Sequence, residues 1–391
     1  MKKEIAIIGG GLAGLACAVE LTKKNISFKL FEKESFLGGR VHTYERKRLH
    51  IDRGFQVFLP SYKMAKKLLN YEALDLCYYP SGAAIIENNA RKWFGDPIRF
   101  PKEYKVGDKI DAKLLDYIQL GIDTVCGFQQ PLHKVMESTS LYINKYYSES
   151  FRNSFLIPFF RGVFLQPDCQ KNFNQFRYYL NCFFRGGAAV PRKGMQEIPN
   201  QLISQIPEET IELNTTVNEI KYKEVIINNT SHQFDHIVCA TDFSSFFKLT
   251  DTIPSKRSWD SVTNYILAKK TTTQCAPLTL VADDSIVSHI NIPTLVSDTM
   301  APKNTHYMNV SAFKEYEPKK IEAEIHQLTG ESDWKFVWHD HIEKGLPRNQ
   351  SPPAIHLDHI SICGDWTSFS SIEGALNSGY NTAKKIKKLY S

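Results

Sequence analysis

Residues 5–21 read IAIIGGGLAGLACAVEL, and this stretch decides the fold. Ile5, Ile7 and Ile8 are β-branched and bounded by glycine, the pattern of a short buried strand. Leu12, Leu15, Ala16 and Val19 then recur at helical spacing. Between them, Gly9 allows a tight bend, Gly11 lets backbone approach a diphosphate, and Gly14 lets helix pack closely on strand. A helix starting there presents free N–H groups and the positive end of its dipole to an anion. A glycine triplet alone is common in turns. Here a second strand, ISFKLFE (26–32), follows and ends in Glu32, at the spacing expected of an acid on a ribose diol.

The next residues, KESFLGGRVHTY (33–44), add Gly38, Gly39 and Arg40. Paired glycines bring the chain close to a diphosphate, and a guanidinium offers it planar donors. Glu32, five residues, then Gly38, Gly39 and Arg40 together resemble the second fingerprint of the flavin-containing amine oxidase superfamily, which includes phytoene desaturases and protoporphyrinogen oxidases. Asp52, Gly54, Phe55 and Gln56 resemble the family stretch whose backbone runs beside the flavin ring. VPRKGMQEIPNQL (190–202) resembles its glycine-methionine-glutamine turn into a helix. Val217 stands where the family reads the adenine edge, and Ala240 and Thr241 in IVCATD (237–242) stand in the strand that closes the cofactor domain.

At the other end, ICGDWTSFSSIEGALNSGYNTA (362–383) is most similar to the phytoene and ζ-carotene desaturase branch. The resemblance implies that Gly364 and Asp365 meet the ribityl and phosphate end of FAD. It also implies that Ser371, Ile372 and Ala375 begin a helix aimed at the flavin, whose N–H groups and dipole favour an anionic reduced ring. The implied set is thus Gly9, Gly11, Leu12, Ala13, Gly14, Glu32, Lys33, Gly39, Arg40, Gly54, Phe55, Gln56, Val217, Ala240, Thr241, Gly364, Asp365, Ser371, Ile372 and Ala375. FAD is expected to be noncovalent, since no cysteine stands in the family's attachment motif. The resemblance is thin over 80–185 and 250–345.

The fold expected is α/β, a Rossmann-like FAD-binding domain with a mixed α+β substrate domain. The cofactor domain takes 1–75, 189–248 and 351–391, and the substrate domain takes 76–188 and 249–350. Within the latter, residues 61–80 look helical where they enter it, Asn88-Asn89 turns a strand pair, and AKLLDYIQLGIDTVCG (112–127) reads as an amphipathic helix. An aromatic run over 141–184 follows. Spacings of i, i+4 assign many of its rings to helix packing. The surplus is expected to wall an apolar pocket with Phe155, Phe159, Phe160, Phe164, Tyr178 and Phe183. Arg152, Arg161 and Arg185 are weighed as anion anchors for a substrate, with an ordinary salt-bridged surface role favoured.

An amine oxidase of this family uses a lysine near the flavin and a cage of two aromatics. The corresponding positions here are Asn264 and Ser371, with Lys269 and Lys270 displaced. Gln56, Ser371 and Asn264 are therefore the flavin-facing candidates, and no general base is evident. The reading that follows is hydride abstraction from a lipophilic, isoprenoid-like substrate, with oxygen or a quinone as electron acceptor. The alternatives are an amine or tetrapyrrole oxidase, or a flavoprotein using FAD for isomerisation or structure.

Composition agrees with a globular enzyme. The chain has 391 residues, 42% hydrophobic, with a formal net charge of +6. No basic block interleaves with aromatics, so no nucleic-acid partner is expected. The eight cysteines lack metal-ligand spacing, and no metal is expected; they read as reduced thiols of a cytoplasmic protein. The start, Met1-Lys2-Lys3 before an apolar run, has the look of a secretion signal, but the glycine motif occupies that run. The tail AKKIKKLYS (383–391) reads as a solvated helix end, with peripheral contact to an anionic membrane as the alternative.

Overall fold

A computed structural model describes residues 4–95, 108–126, 137–252, 258–348 and 359–390. Strand Glu4–Ile8 is the centre of a five-stranded sheet, flanked by Ser27–Phe31 and His236–Cys239, with Ile211–Glu212 and Ile360–Ile362 at the edges. All its pairings are parallel, with Ile5 opposite Phe28 on one side and His236 on the other. Parallel sheets are covered on both faces, which is why residues 5–8 of this strand are all apolar and buried. Ile5 and Ile7 pack into a core with the helices Leu12–Thr22 and Ile372–Tyr390. Ala6 and Ile8 point the other way, onto Val217, Val225, Phe246 and Trp366.

The two terminal segments meet through their helices. A Cβ on Gly379 would lie 1.9 Å from the backbone oxygen of Ala13, so the C-terminal helix touches the first one backbone to backbone. A Cβ on Gly14 would lie 2.0 Å from the Gly9 oxygen, which holds the first helix against its own turn.

The second sheet has eight strands in the order Lys335–Pro347, Trp259–Lys269, His306–Ala312, His289–Asn291, Leu278–Val281, Gly82–Glu87, Ala90–Gly95 and Asp108–Lys109. One face packs Tyr265, Leu267, Val281 and Met308 on Ile321 and Ile325 of helix Pro318–Thr329. Ile266, Leu280 and Ile85 face the opposite way, toward the aromatic helices. Gly82–Glu87 and Ala90–Gly95 pair antiparallel about Asn88 and Asn89, whose φ values of 53° and 57° mark the expected turn.

Residues 61–80 are less helical than the sequence implies. Helix Lys63–Leu68 stops, Asn70 caps a short turn Tyr71–Leu74, and left-handed Asp75 redirects the chain into strand Leu76–Tyr78. The aromatic run forms helix Thr139–Tyr146, a rod from Glu149 to Phe164 containing a π turn at Arg152–Leu156, and helix Phe173–Gly186. Buried Asp123 of helix Leu114–Cys126 ties these together, accepting from Tyr142 Oη at 2.8 Å, Tyr147 Oη at 2.7 Å and Arg177 Nε at 2.8 Å.

Gly379→Ala should therefore separate the two helices and lower stability by about 1–3 kcal/mol, as overpacking does. The matched control Gly121→Ala lies on an exposed helix with nothing within 4 Å of its Cβ, and should instead stabilise by about 0.5–1 kcal/mol. Thermal midpoints of the two variants would decide; equal midpoints would mean that the helices do not touch as described.

Candidate active site

One cleft of about 1160 Å³ runs from the glycine turns to the aromatic helices, between the two sheets. At its polar end, Gly11 caps helix Leu12–Thr22 with no side-chain partner for the first N–H groups. The glycine motifs are joined by the bond from Gly38 N to Gly10 O at 2.9 Å and by a bridge between Gly11 and Gly38. A Cβ on Gly11 would meet nothing within 4 Å, whereas one on Gly39 would come within 3.2 Å of Gly11 Cα. Open space before an uncapped helix start, lined by facing glycines, fits a diphosphate.

Glu32 is fixed beside that space. Its Oε2 accepts from Gly10 N at 2.7 Å and its Oε1 from Glu34 N at 3.0 Å, leaving lone pairs for a diol. Arg40 donates from Nη2 to Asp365 Oδ1 at 2.6 Å and from Nη1 to Gly345 O at 2.6 Å, with its guanidinium 5.6 Å from the Trp259 ring. Burial lowers the Arg40 pKa, but Asp365 outweighs it and the net shift is upward. The pair links the first glycine region to the C-terminal strand.

In the middle of the cleft, Gly54 has φ +79°, and a Cβ there would strike Ile342 Cδ1 at 2.9 Å. Gln56 Nε2 donates to Arg40 O at 2.8 Å and Arg53 O at 2.7 Å. Ser371 Oγ accepts from Gly374 N at 2.9 Å, capping the C-terminal helix. The carboxylate of Glu373 accepts from Met64 N at 2.8 Å and Ala65 N at 3.1 Å. Asn264 is buried behind Gly54 and Phe55, accepting from Ser311 Oγ at 2.8 Å and Phe55 N at 3.3 Å, and does not reach the cleft wall.

The far end is apolar, walled by Phe159, Phe183, Tyr62, Tyr179, Leu278 and Leu280. Tyr179 Oη donates to Ser370 O at 2.8 Å and Tyr79 Oη to Asn291 Oδ1 at 3.0 Å, so these hydroxyls are satisfied within the wall. His289 lies at 4.9 Å from the Phe55 ring; burial pulls its pKa down to about 4, so it is neutral near pH 7.

Of the residues implied for the cofactor, all but Gly14 line the cleft, and Gly14 lies just behind it. The aromatic set divides. Phe159 and Phe183 line the cleft, whereas Phe160 and Phe164 are buried in helix packing, 5.1 Å apart and with Phe160 4.6 Å from Phe176. Phe155 packs on Phe94 at 3.9 Å, and Tyr178 on Tyr62 and Phe369. The π turn at Arg152–Leu156 changes which rings face inward, which an i, i+4 reading cannot anticipate. Tyr62, Tyr79, Tyr179 and His289 replace the missing rings; they come from distant segments and carry no local sequence signal. Arg152 bonds to Asn144 O, Arg161 to Pro167 O, and none of Arg152, Arg161 and Arg185 lines the cleft.

Residues 12–258 match the family model for flavin containing amine oxidoreductases. The chain belongs to that family. The described α/β fold agrees with that membership. A ζ-carotene desaturase of Solanum lycopersicum is 39% identical over 69 residues, covering 17% of this chain and 12% of that enzyme. The chain thus aligns with only a small part of that relative's length. Among solved structures, an oxidoreductase from Methanosarcina mazei has a TM-score of 0.76 at 15% identity, covering 97% of this chain and all of that one. Putrescine oxidase bound to putrescine has a TM-score of 0.77 at 14% identity, covering 99% of each chain. These likenesses extend the shared fold over the segments where sequence similarity is thin.

No cluster of potential metal ligands occurs among the described residues, and no described helix is long and apolar enough to cross a membrane. The seven described cysteines are free, six of them buried. In the tail, Ile386 is fully buried while Lys384, Lys385, Lys387 and Lys388 are exposed.

Asp52 provides a pH test. Its Oδ1 accepts from Thr43 Oγ1 at 2.6 Å and Met195 N at 2.8 Å, yet burial outweighs both and pushes the carboxyl up to about 6. The folded state thus holds a proton that the unfolded chain releases near its ordinary 3.8. Stability from this group is greatest below pH 4 and is lost as pH rises through 6. Asp52→Asn should exceed wild type by about 1–3 kcal/mol above pH 6, with the advantage vanishing by pH 4. Urea unfolding at both pH values measures it; a pH-independent difference would contradict the upward shift.

Proposed function

We propose that the protein binds FAD noncovalently in this cleft and abstracts hydride from a lipophilic, isoprenoid-like substrate. The cofactor reading rests on the open, glycine-lined space before the uncapped start of helix Leu12–Thr22, with Glu32 on one side and Arg40 on the other. Gly9, Gly11, Leu12, Ala13, Gly39 and Arg40 would hold the diphosphate, Glu32 and Lys33 a ribose, and Val217 the adenine. Gly54, Phe55, Gln56, Ala240, Thr241, Gly364, Asp365, Ser371, Ile372 and Ala375 would surround the ribityl chain and ring. FAD bound there supplies a two-electron acceptor. The protein's contribution is orientation of the substrate and exclusion of water.

The single observation that carries the substrate reading is the apolar end of the cleft. Phe159, Phe183, Leu278 and Leu280 offer no hydrogen-bonding group, and the Tyr179 and Tyr79 hydroxyls are already bonded. A cationic amine there would lose its hydration with no carboxylate among these wall residues to pair it. Ser371 and Asn264 occupy the positions where an amine oxidase has an aromatic and a lysine, and Lys269 is engaged by Glu331 at 2.7 Å and Asp333 at 3.0 Å. An apolar chain gains about 25 cal/mol per Å² buried, before ordering costs.

Purified protein should release FAD on acid precipitation. Gly11 has φ −72° and open space around its missing Cβ, so Gly11→Val should fold normally and lack flavin; equal FAD content would place the cofactor elsewhere. In flavin-loaded protein under anaerobic conditions, phytoene or ζ-carotene in detergent micelles should bleach the flavin absorbance, and putrescine should not. Bleaching by putrescine alone would overturn the substrate reading and leave the cofactor reading intact.

A further inference from the structure

The apolar end of the cleft keeps a polar atom without a partner. Among the described residues, His289 Nε2 is buried and makes no hydrogen bond, and the whole residue is 1% exposed. Arg53 Nε, likewise buried and unbonded at the cleft wall, has Asp340 Oδ2 at 3.7 Å to balance it. The Tyr79 and Tyr179 hydroxyls have their bonds to Asn291 and Ser370. A buried polar atom left unpaired is costly, so a stranded nitrogen in a cleft wall calls for a partner from the cleft.

The imidazole is held so that it faces that space. His289 stands opposite Leu280 on the neighbouring strand, and Leu280 opposite Ile85 on the next. Residues paired across a sheet project from the same face, and Leu280 and His289 both line the cleft. Helix Ile157–Phe164 passes so close that a Cβ on Gly162 would come within 3.3 Å of His289 Nδ1. The glycine leaves the ring its place. Phe55 flanks it at 4.9 Å, and Nδ1 lies 3.3 Å from Ser288 Oγ. Phe55 is among the residues assigned to the flavin ring, so the unpaired nitrogen stands where the apolar wall meets the cofactor region.

A neutral imidazole limits what can pair with it. Burial keeps the ring neutral near pH 7, so one nitrogen carries a proton and the other a lone pair. With Nδ1–H donating to Ser288 Oγ, Nε2 is an acceptor; with the serine donating, Nε2–H is a donor. A hydroxyl fits both cases because it donates and accepts. A carbonyl fits only the second. An ammonium ion would bring a charge against Phe159, Phe183, Leu278 and Leu280, which cannot solvate it. A pure hydrocarbon would seal Nε2 from water and leave it unbonded.

We propose that the substrate is an isoprenoid alcohol, whose hydroxyl hydrogen-bonds to His289 Nε2 while its hydrocarbon lies along Phe159, Phe183, Leu278 and Leu280. The assignment rests on the lipophilic-substrate reading given above and narrows it, since His289 sorts apolar chains by one polar group. Such a site discriminates well, because an analogue without the hydroxyl strands the buried nitrogen.

Binding to flavin-loaded protein is read from the perturbation of flavin absorbance, with geranylgeraniol and with the hydrocarbon that lacks only its hydroxyl, both in detergent micelles. The ratio of the two affinities is compared between proteins, so that the partition of each ligand into micelles cancels. His289→Leu should lower the alcohol-to-hydrocarbon ratio about tenfold. His289→Gln keeps a side-chain donor and acceptor near the place of Nε2 and should stay within about twofold of wild type. Tyr62→Phe removes a different hydroxyl-bearing side chain from the same wall and should also leave the ratio in place. FAD released by acid precipitation checks that each cleft is intact, and His289→Met replaces the leucine variant if that one loses its flavin. An unchanged ratio in the apolar variant overturns the assignment. So does a ratio that falls as far in His289→Gln, or one that falls with Tyr62→Phe instead. If neither ligand perturbs the wild-type flavin, the isoprenoid reading itself fails and takes the alcohol assignment with it.

Discussion

The contact on which the site depends is the backbone approach of Gly379 to Ala13. With helix Ile372–Tyr390 seated on helix Leu12–Thr22, strand Ile360–Ile362 completes the parallel sheet beside His236–Cys239. Gly364 and Asp365 then follow above the glycine turns, where Arg40 reaches Asp365. Glu373, from the first turn of the same helix, is held by Met64 and Ala65 N–H groups. A segment remote in sequence thus becomes one wall of the cleft because the C-terminal helix has no side chain where it meets the backbone of Ala13. A β-carbon at that point would move every one of those later contacts together.

Within the cleft, polar and apolar functions are separated along its length. The glycine end presents helix N–H groups, Arg40 and an already bonded Glu32 carboxylate, all suited to a charged dinucleotide. The aromatic end has its hydroxyls bonded to Ser370 and Asn291, and a histidine that burial keeps neutral. The two ends share one cleft, so an apolar, low-dielectric wall stands beside the charged groups.

Much of the cofactor half was legible because its constraints are local. Gly9, Gly11 and Gly14 act within one turn, and Glu32 follows at the end of the next strand, so spacing alone carries their geometry. The strand pair about Asn88-Asn89 was legible for the same reason. The aromatic half was not. Phe159 and Phe160 are adjacent and chemically identical, yet only Phe159 lines the cleft. The difference is set by the π turn upstream and by the packing of Phe160 on Phe176 of helix Phe173–Gly186, a contact between helices that spacing within one helix does not reveal. Likewise Asn264 was aligned with a flavin-facing position, but Ser311 and Phe55 N hold it behind the wall. Side-chain direction there is decided by strand pairing with His306–Ala312, a long-range choice.

The aromatic lobe also explains why a helix with an apolar outer face is held rigidly. Asp123 gathers two tyrosine hydroxyls and an arginine from two other helices, so the interior of this lobe is organised around a carboxylate as well as around rings. A buried charge of this kind fixes orientation, because any rotation would strand it without partners. With polar groups serving as the internal fastening, the apolar residues of helix Leu114–Cys126 are released from core duty and left to the surface. The same fastening places Tyr117 against Phe94 and so connects the outer face to the ring stack that ends at Phe159. Inner wall and outer face are therefore two consequences of one polar anchor.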